Sequence, residues 1–274
     1  MATLNTVDKV GKVLDLFTLE RPDWGVSEVA SELGIPRSSA HAMLSSLVDI
    51  GILQWRQGGR YRIGWRVLEL AEVRRRSLDI RGATRPALES LASTHGETCH
   101  VAVRDHDHAL YLDKVLGNHN ITVQGARLGA RLPLYCTGVG KVLLAAEGDS
   151  EVTEYLATVE LRRYTPSTIT DPQTIREELA TIRRNGYSSD LGESVEDVYC
   201  FAAPIRSDLG DVVAALSMSA PVSRFEKHRA RYLKAVQEAA AEASRALVDS
   251  AFAPEDTSRD YPAAQFGGPS GDLP

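Results

Sequence analysis

The first fifty residues repeat hydrophobic positions at the spacing of an α-helix. A first helix is predicted over residues 6–19, with four residues on its buried face: Val7, Val10, Leu14 and Phe17. A second helix is predicted over residues 27–34, because Gly34 suits the left-handed position that follows a helix. A third is predicted over residues 36–50, with Pro36 at its first helical position. Two helices joined by one tight turn are typical of a helix-turn-helix.

The third predicted helix has two different faces. Its apolar side consists of Ala40, Leu44 and Leu47. Its other side begins with an arginine and otherwise carries short side chains: Arg37, Ser38, Ser39, His41, Ala42 and Ser45. Short side chains allow a helix to approach the base edges in the major groove of DNA. We therefore expect this outer face to bind double-stranded operator DNA.

A hairpin is predicted directly after the helix-turn-helix. Its strands cover residues 52–55 and 61–63, on either side of a turn at Gly58 and Gly59. Three arginines lie along this wing (residues 52–63), at positions 56, 60 and 62. We expect Arg56 and Arg60 to bind phosphates or the minor groove of DNA.

The remainder of the chain alternates between strand and helix patterns. A connecting helix is predicted from residue 65 to the Arg74-Arg75-Arg76 run, and a further helix is predicted to open at Thr84. The predicted strands cover residues 99–103, 109–115, 201–205 and 212–219. The other predicted helices cover residues 140–146, 151–159, 172–184 and 223–247, the last opened by a capping box at Ser223 and Glu226. Residues 251–274 are predicted to be a disordered tail.

Charge and cysteine content narrow the class of protein. The net charge of the 274 residues is −6, but residues 1–85 carry 13 Lys and Arg against 10 Asp and Glu. This leaves 18 basic against 27 acidic residues in the remainder, so positive charge is concentrated where DNA is expected. Three cysteines without close spacing predict a reduced protein without disulfides. No signal peptide or membrane span is predicted, and we expect a cytoplasmic location.

The residues that could carry enzyme chemistry form no complete site. Tyr135 and Val142 occupy positions where a phosphate-binding loop requires glycine and Ser or Thr, so that interpretation fails. The glycine turn (residues 137–141) either binds a small anion at a helix N-terminus or packs closely against a strand. Ser194 lacks the second glycine of a nucleophile elbow. We expect no catalytic residue and no metal site.

The cysteine, histidine and serine residues also form no recognisable catalytic or metal site. Cys99 and His100 fall on opposite faces of one predicted strand, so they cannot form a joint site. His106 and His108 are expected to be exposed loop residues, and Cys200 a small buried one. Ser217 and Ser219 share one strand face, where they either bond the neighbouring backbone or line a polar pocket.

Several segments together resemble the IclR family of bacterial transcription regulators over residues 4–250. The resemblance is carried by residues 132–145 (LPLYCTGVGKVLLA), 164–166 (YTP), 186–190 (GYSSD), 200–205 (CFAAPI) and 214–221 (AALSMSAP). It implies an α+β fold with a winged helix-turn-helix (residues 1–64), a linker helix (65–80) and a GAF-like antiparallel sheet with flanking helices (81–250). It also implies a homodimer or dimer of dimers and no cofactor.

The resemblance further implies a small-molecule effector, typically an organic or aromatic acid. The effector-binding positions carried over are Ile121, Val123, Gly138, Val139, Asp190, Val198, Cys200, Ser217 and Ser219. Two departures stand out: Ala42 replaces a common arginine in the recognition helix, and Leu191-Gly192-Glu193 replaces an acidic pair. We expect a ligand-responsive regulator. Two alternative functions remain open: an enzyme acting on small acids, and a sensor module that does not bind DNA.

Overall fold

The computed structural model describes residues 5–70, 80–119 and 125–252. The chain divides into two compact units, Met1–Leu78 and Asp79–Pro274. Three predictions fall wholly or largely outside the described residues: the linker helix after residue 70, the effector positions Ile121 and Val123, and the tail after residue 252. Residues 66–70, where the linker helix was predicted to start, are helical.

Over residues 5–63, the N-terminal unit combines three helices with a small sheet. Its elements are α1 (Asn5–Asp15), β1 (Trp24–Gly25), α2 (Val26–Glu32), α3 (Arg37–Asp49), β2 (Leu53–Arg56) and β3 (Arg60–Ile63). The sheet has the order β1-β3-β2, with all neighbours antiparallel. The two-residue strand β1 was not predicted, because it is too short to show alternation in the sequence. Its pairing of Trp24 with Tyr61 adds a third strand to the predicted wing.

Helix α1 is shorter than its hydrophobic spacing predicts. It ends at Asp15, and the chain then turns so that the Phe17 N–H donates to the Leu14 carbonyl at 3.1 Å. The assigned face was also wrong at one position, since Val7 is 62% exposed. The fully buried residue of the helix is instead Val13, which joins the same core cluster as Leu44.

The predicted helix-turn-helix is present with one shift. Gly34 has a φ of +62°, which confirms it as the left-handed residue after α2. The Gly25 N–H at the start of α2 donates to Glu28 Oε2 at 2.7 Å, and the pKa of Glu28 is lowered chiefly by this bond. Pro36 caps α3 rather than occupying its first turn, so the predicted position was wrong by one residue. The predicted stripe of Ala40, Leu44 and Leu47 is buried.

The C-terminal unit is built on one six-stranded antiparallel sheet. Its strands are β4 (Thr98–Asp105), β5 (His108–Val115), β6 (Arg131–Pro133), β7 (Ser188–Leu191), β8 (Val198–Arg206) and β9 (Val212–Pro221). They follow the order β6-β5-β4-β9-β8-β7. Strands β6 and β7, which form the two edges, were missed because each is short and lacks an apolar run.

Helices cover both faces of this sheet. They are α4 (Ile80–His95), α5 (Gly138–Ala145), α6 (Asp149–Thr158), α7 (Pro172–Asn185) and α8 (Val222–Phe252). One core cluster joins α4 and α8 to one face, and a second joins α5, α6 and α7 to the other. The predicted α+β architecture is therefore confirmed.

Four helix starts of the C-terminal unit differ from those predicted, among them that of α6, which begins at Asp149 rather than at residue 151. Helix α4 already includes Ile80, four residues before the predicted start at Thr84, and both residues continue its buried stripe. Helix α5 begins at Gly138, two residues before the predicted start. Helix α8 begins at Val222, so Ser223 lies inside it, and Glu226 accepts a hydrogen bond from Arg229 instead of forming a capping box.

The start of α5 supplies a stability prediction. A Cβ on Gly140 would lie 2.6 Å from both the Cα and the carbonyl oxygen of Leu134, and backbone atoms cannot rotate away. We expect Gly140→Ala to lower the free energy of unfolding of the C-terminal unit by about 1–3 kcal/mol. Calorimetric unfolding of the full chain would measure this change.

The matched control is Gly11→Ala in α1, where no atom lies within 4 Å of the added Cβ. This change should leave stability unchanged or raise it by about 0.5–1 kcal/mol, because alanine is the better helix former. Equal melting temperatures for Gly140→Ala and the wild type would contradict the close approach at Leu134.

Candidate functional site

The predicted DNA-binding face of α3 is open to solvent. Arg37, the first residue of the helix, is exposed, as are Ser38, Ser39, His41 and Ala42, while Ser45 is half-buried. Ala40, Leu44 and Leu47 anchor the opposite side in the core of this unit. The surface therefore presents one guanidinium, one imidazole and several hydroxyl groups on a fixed helix.

The wing arginines have different local partners. Arg62 forms two hydrogen bonds of 2.9 Å with the Asp23 carboxylate, and this pair lowers the pKa of Asp23. Arg60 donates to the Asp23 carbonyl at 2.7 Å and lies 3.2 Å from Glu28. Arg56 is exposed at the end of β2. Arg60 and Arg62 therefore brace the wing against the start of α2, and Arg56 is the wing arginine most open to a phosphate.

The C-terminal unit encloses a cavity of about 310 Å³ between the sheet and the glycine turn. Seven predicted effector residues line it: Gly138, Val139, Asp190, Val198, Cys200, Ser217 and Ser219. The lining also includes residues that the sequence analysis did not assign to a pocket, among them His100, Tyr111, Cys136, Thr137, Ser194 and Val195. These seven predicted positions, which come from four separate segments, are thus brought together around one cavity.

Strand register explains why these side chains meet. Asp190 pairs with Cys200 and Cys200 with Ser219, which places the three residues side by side across β7, β8 and β9. A second row pairs Ser217 on β9 with His100 on β4. His100 could have been found from the alternation of β4, because Cys99 belongs to the core on the other face.

The glycine turn packs closely against the sheet. A Cβ on Gly138 would lie 2.5 Å from Cys200 Sγ and 3.4 Å from the Cβ of Ala202. Ser188 Oγ donates to the Gly138 carbonyl at 2.6 Å, and Thr137 Oγ1 accepts from the Gly140 N–H at 3.1 Å. Close packing is therefore present, and it leaves Gly138 and Val139 on the cavity wall, where a small anion could also bind.

Lys141 does not face a phosphate site. Its ammonium group is buried, donates to Glu178 at 2.7 Å and also bonds the Glu193 carboxylate. Burial lowers the pKa of Lys141, but the charges of Glu193 and Glu178 outweigh this effect and raise it overall. Burial raises the pKa of Glu193 to about 7.

Asp190 is the acidic group on the cavity wall. Its carboxylate accepts hydrogen bonds from Ser194 Oγ at 2.5 Å and from the Glu193 N–H at 2.6 Å. Burial raises its pKa above the usual value. Ser194 thus donates to a carboxylate rather than to a histidine, unlike an activated nucleophile.

The cysteines on the cavity wall and the histidines near the start of β5 show no sign of catalytic activation. Burial raises the pKa of the Cys136 and Cys200 thiols to about 12, so both stay protonated. His106 is 88% exposed in the turn after β4, as predicted. His108 is also exposed, but the prediction of a loop position was wrong, because it is the first residue of β5. Among the described residues, no group of three His, Cys, Asp or Glu side chains could hold a metal ion. Over the same residues, no helix is both long and apolar enough to cross a membrane.

Comparison with known proteins covers both units. The family model described as "IclR helix-turn-helix domain" matches residues 6–57, and "Bacterial transcriptional regulator IclR C-terminal" matches residues 74–245. The HTH-type transcriptional regulator XynR of Escherichia coli is 30% identical over 249 residues, covering 90% of this chain and 98% of its own. The transcriptional repressor IclR of the same organism is 31% identical over 221 residues, 80% of each chain.

A similar solved structure is an IclR homolog from Microbacterium hydrocarbonoxydans complexed with 4-hydroxybenzoate. Its TM-score is 0.79 at 30% identity, and the match covers 89% of this chain and 99% of that one. The relatives carry the names of regulators rather than enzymes, and the matched domains are a helix-turn-helix and an effector-binding domain. The chain belongs to the IclR family of bacterial transcriptional regulators.

Proposed function

We propose that this regulator controls a catabolic operon in response to a small organic or aromatic acid. The observation that carries the proposal is the cavity of about 310 Å³ between the glycine turn and the sheet. Its volume falls at the lower end of the range for small-molecule sites. Its wall combines apolar side chains such as Val139 and Val198 with the hydroxyl groups of Ser217 and Ser219.

The acid would bind with its carboxylate against the glycine turn. The start of a helix carries partial positive charge and unpaired N–H groups, which favour an anion. Gly138 and Val139 form this part of the wall. A relative that is similar to this chain binds 4-hydroxybenzoate, an acid of the proposed class.

On the DNA side, the proposal assigns base reading to α3. Base edges would be contacted, or the register set, by Arg37, Ser38 and His41. The neighbouring positions Ser39, Ala42 and Ser45 would support these contacts. Affinity would be added through phosphates by Arg56 and Arg60. In a homodimer or dimer of dimers, two α3 helices would enter major grooves about one helical turn apart on a pseudo-palindromic site. Effector binding coupled to the DNA site by about 1–3 kcal/mol would change operator affinity about 5- to 150-fold.

The contribution of α3 is tested with Arg37→Ala. We expect this change to weaken binding to DNA from upstream of the protein's own gene by about 1–3 kcal/mol, because an exposed guanidinium at the start of the helix is lost. Fluorescence anisotropy at fixed moderate salt would measure the affinity. Lys234→Ala on α8 removes the same charge from a side chain that is 78% exposed, and it should leave DNA binding unchanged.

Two outcomes would contradict the assignment to α3. Full affinity in Arg37→Ala would remove Arg37 from the interface. An absence of specific binding by the wild-type protein would favour the alternative of a sensor module without DNA binding.

The effector site is tested with Ser219→Phe. Ser219 is 5% exposed and lines the cavity, so a phenyl ring at this position would occupy the space of the ligand. We expect the variant to lose the rise in melting temperature that the wild type shows with a binding acid, since that rise reports ligand bound to the native state. DNA affinity in the absence of the acid should be retained.

Ser189→Phe is the matched control. Ser189 borders a groove beside Phe201 on the other face of the sheet, so the ring would not enter the cavity. The control should keep the ligand-induced rise. An unchanged response in Ser219→Phe would place the effector outside this cavity.

A further inference from the structure

One polar atom on the cavity wall has no partner. His100 is 1% exposed, and its Nε2 atom makes no hydrogen bond with any residue that the structure describes. The imidazole ring lies edge-on to Tyr111, with ring centres 5.4 Å apart, and both residues line the cavity. Buried polar side-chain atoms are nearly always hydrogen-bonded, so this atom requires an explanation.

The surroundings of His100 keep its ring neutral. Burial lowers the pKa of His100 to about 3, and the positive charge of Lys114 contributes to this shift. Lys114 is the cross-strand partner of His100 on β5, and its Nζ donates to the Ala126 carbonyl at 3.0 Å. A neutral imidazole has one nitrogen that donates and one that accepts. Nε2 can therefore bond a hydroxyl or carbonyl oxygen of a ligand without any charge.

His100 lies two strands away from the strand that contacts the glycine turn. Gly138 lies against Ala202 on β8, and the pairing continues from Ala202 to Ser217 on β9 and then to His100 on β4. Two strand spacings separate Ala202 from His100, or about 10 Å between the backbones. A ligand with its carboxylate at the turn would reach His100 only with its opposite end.

We propose that His100 selects acids that carry a second oxygen at the end remote from the carboxylate, through a hydrogen bond between that oxygen and Nε2. This inference rests on the proposed function, since it takes the effector to be an acid bound at the glycine turn. A rigid aromatic acid with a para hydroxyl has this arrangement. An acid of the same shape with a methyl group in place of the hydroxyl leaves Nε2 without a partner, and it binds more weakly.

The test compares two pairs of probes that differ only in this group. They are 4-hydroxybenzoate against 4-methylbenzoate, and 4-hydroxyphenylacetate against 4-methylphenylacetate, measured by calorimetric titration of the full chain. Whichever hydroxy acid binds the wild type more tightly should have a dissociation constant about 10-fold or more below that of its methyl partner. A difference of this size is typical of one buried hydrogen bond. In His100→Phe, which keeps a ring but has no nitrogen, the preference should fall to about 2-fold or less.

His106→Phe is the matched control, because it makes the same replacement at an exposed histidine outside the cavity and should keep the preference. Tyr111→Phe removes a hydroxyl from the ring that packs against His100 and tests whether that hydroxyl, rather than Nε2, makes the contact. His100→Gln keeps a hydrogen-bonding group and should retain part of the preference for the hydroxy acid. If His100→Phe does not fold, the comparison of hydroxy and methyl acids on the wild type still tests the inference.

The outcomes separate this inference from the proposed function. If acids bind the wild type but each methyl partner binds as tightly as its hydroxy acid, the role of His100 is overturned and the effector site stands. Loss of the preference in Tyr111→Phe but not in His100→Phe would also overturn it, and would assign the contact to Tyr111. If none of the four probes and no member of a wider acid panel binds, the proposed function fails and this inference fails with it.

Discussion

The shape of the cavity between the sheet and the glycine turn depends on one buried cation. Lys141 extends from α5 and is bonded to Glu178 on α7 and to Glu193 in the segment that follows β7. The Glu193 backbone in turn donates to Asp190, so the cation, the turn and the cavity wall form one connected network. Removing the ammonium group would leave the buried carboxylate of Glu193 and the partly exposed carboxylate of Glu178 without a counter-charge, which is strongly destabilising. The glycine turn and the Asp190 wall are thereby held at a fixed separation.

This network also sets the electrostatic character of the cavity. Because Glu193 and Glu178 take up the charge of Lys141, the lysine contributes little positive potential to a ligand. Asp190 keeps a raised pKa, and the thiols of Cys136 and Cys200 stay protonated. Under the proposed function, recognition of the acid would therefore depend on hydrogen bonds and on the start of α5 rather than on an ion pair. Such a site distinguishes ligands mainly by where their oxygens lie, since an unmatched buried polar group is penalised.

Local signals in the sequence were sufficient for much of the fold. Glycine at position 34 and the stripe of Ala40, Leu44 and Leu47 predicted the helix-turn-helix, because turns and helix faces are specified by neighbouring residues. The predicted end of α1 at residue 19 was wrong because tertiary contacts set that end, including the bond from Trp24 Nε1 to the Leu16 carbonyl. The partners of Lys141 are separated from it by 37 and 52 residues, so no periodicity could reveal them.

Some residues of the cavity can be identified from sequence motifs, whereas others reach it only through the pairing of distant strands. Motifs shared with the family assigned Gly138, Asp190, Cys200, Ser217 and Ser219 to the site, and all five line the cavity. His100 lies in none of those motifs and reaches the cavity only through its pairing with Ser217. The motif residues build the turn, the acidic wall and the hydroxyl groups. Under the proposed function, these groups would bind any small acid, and selectivity among acids would come from side chains such as His100, which strand register brings to the same wall.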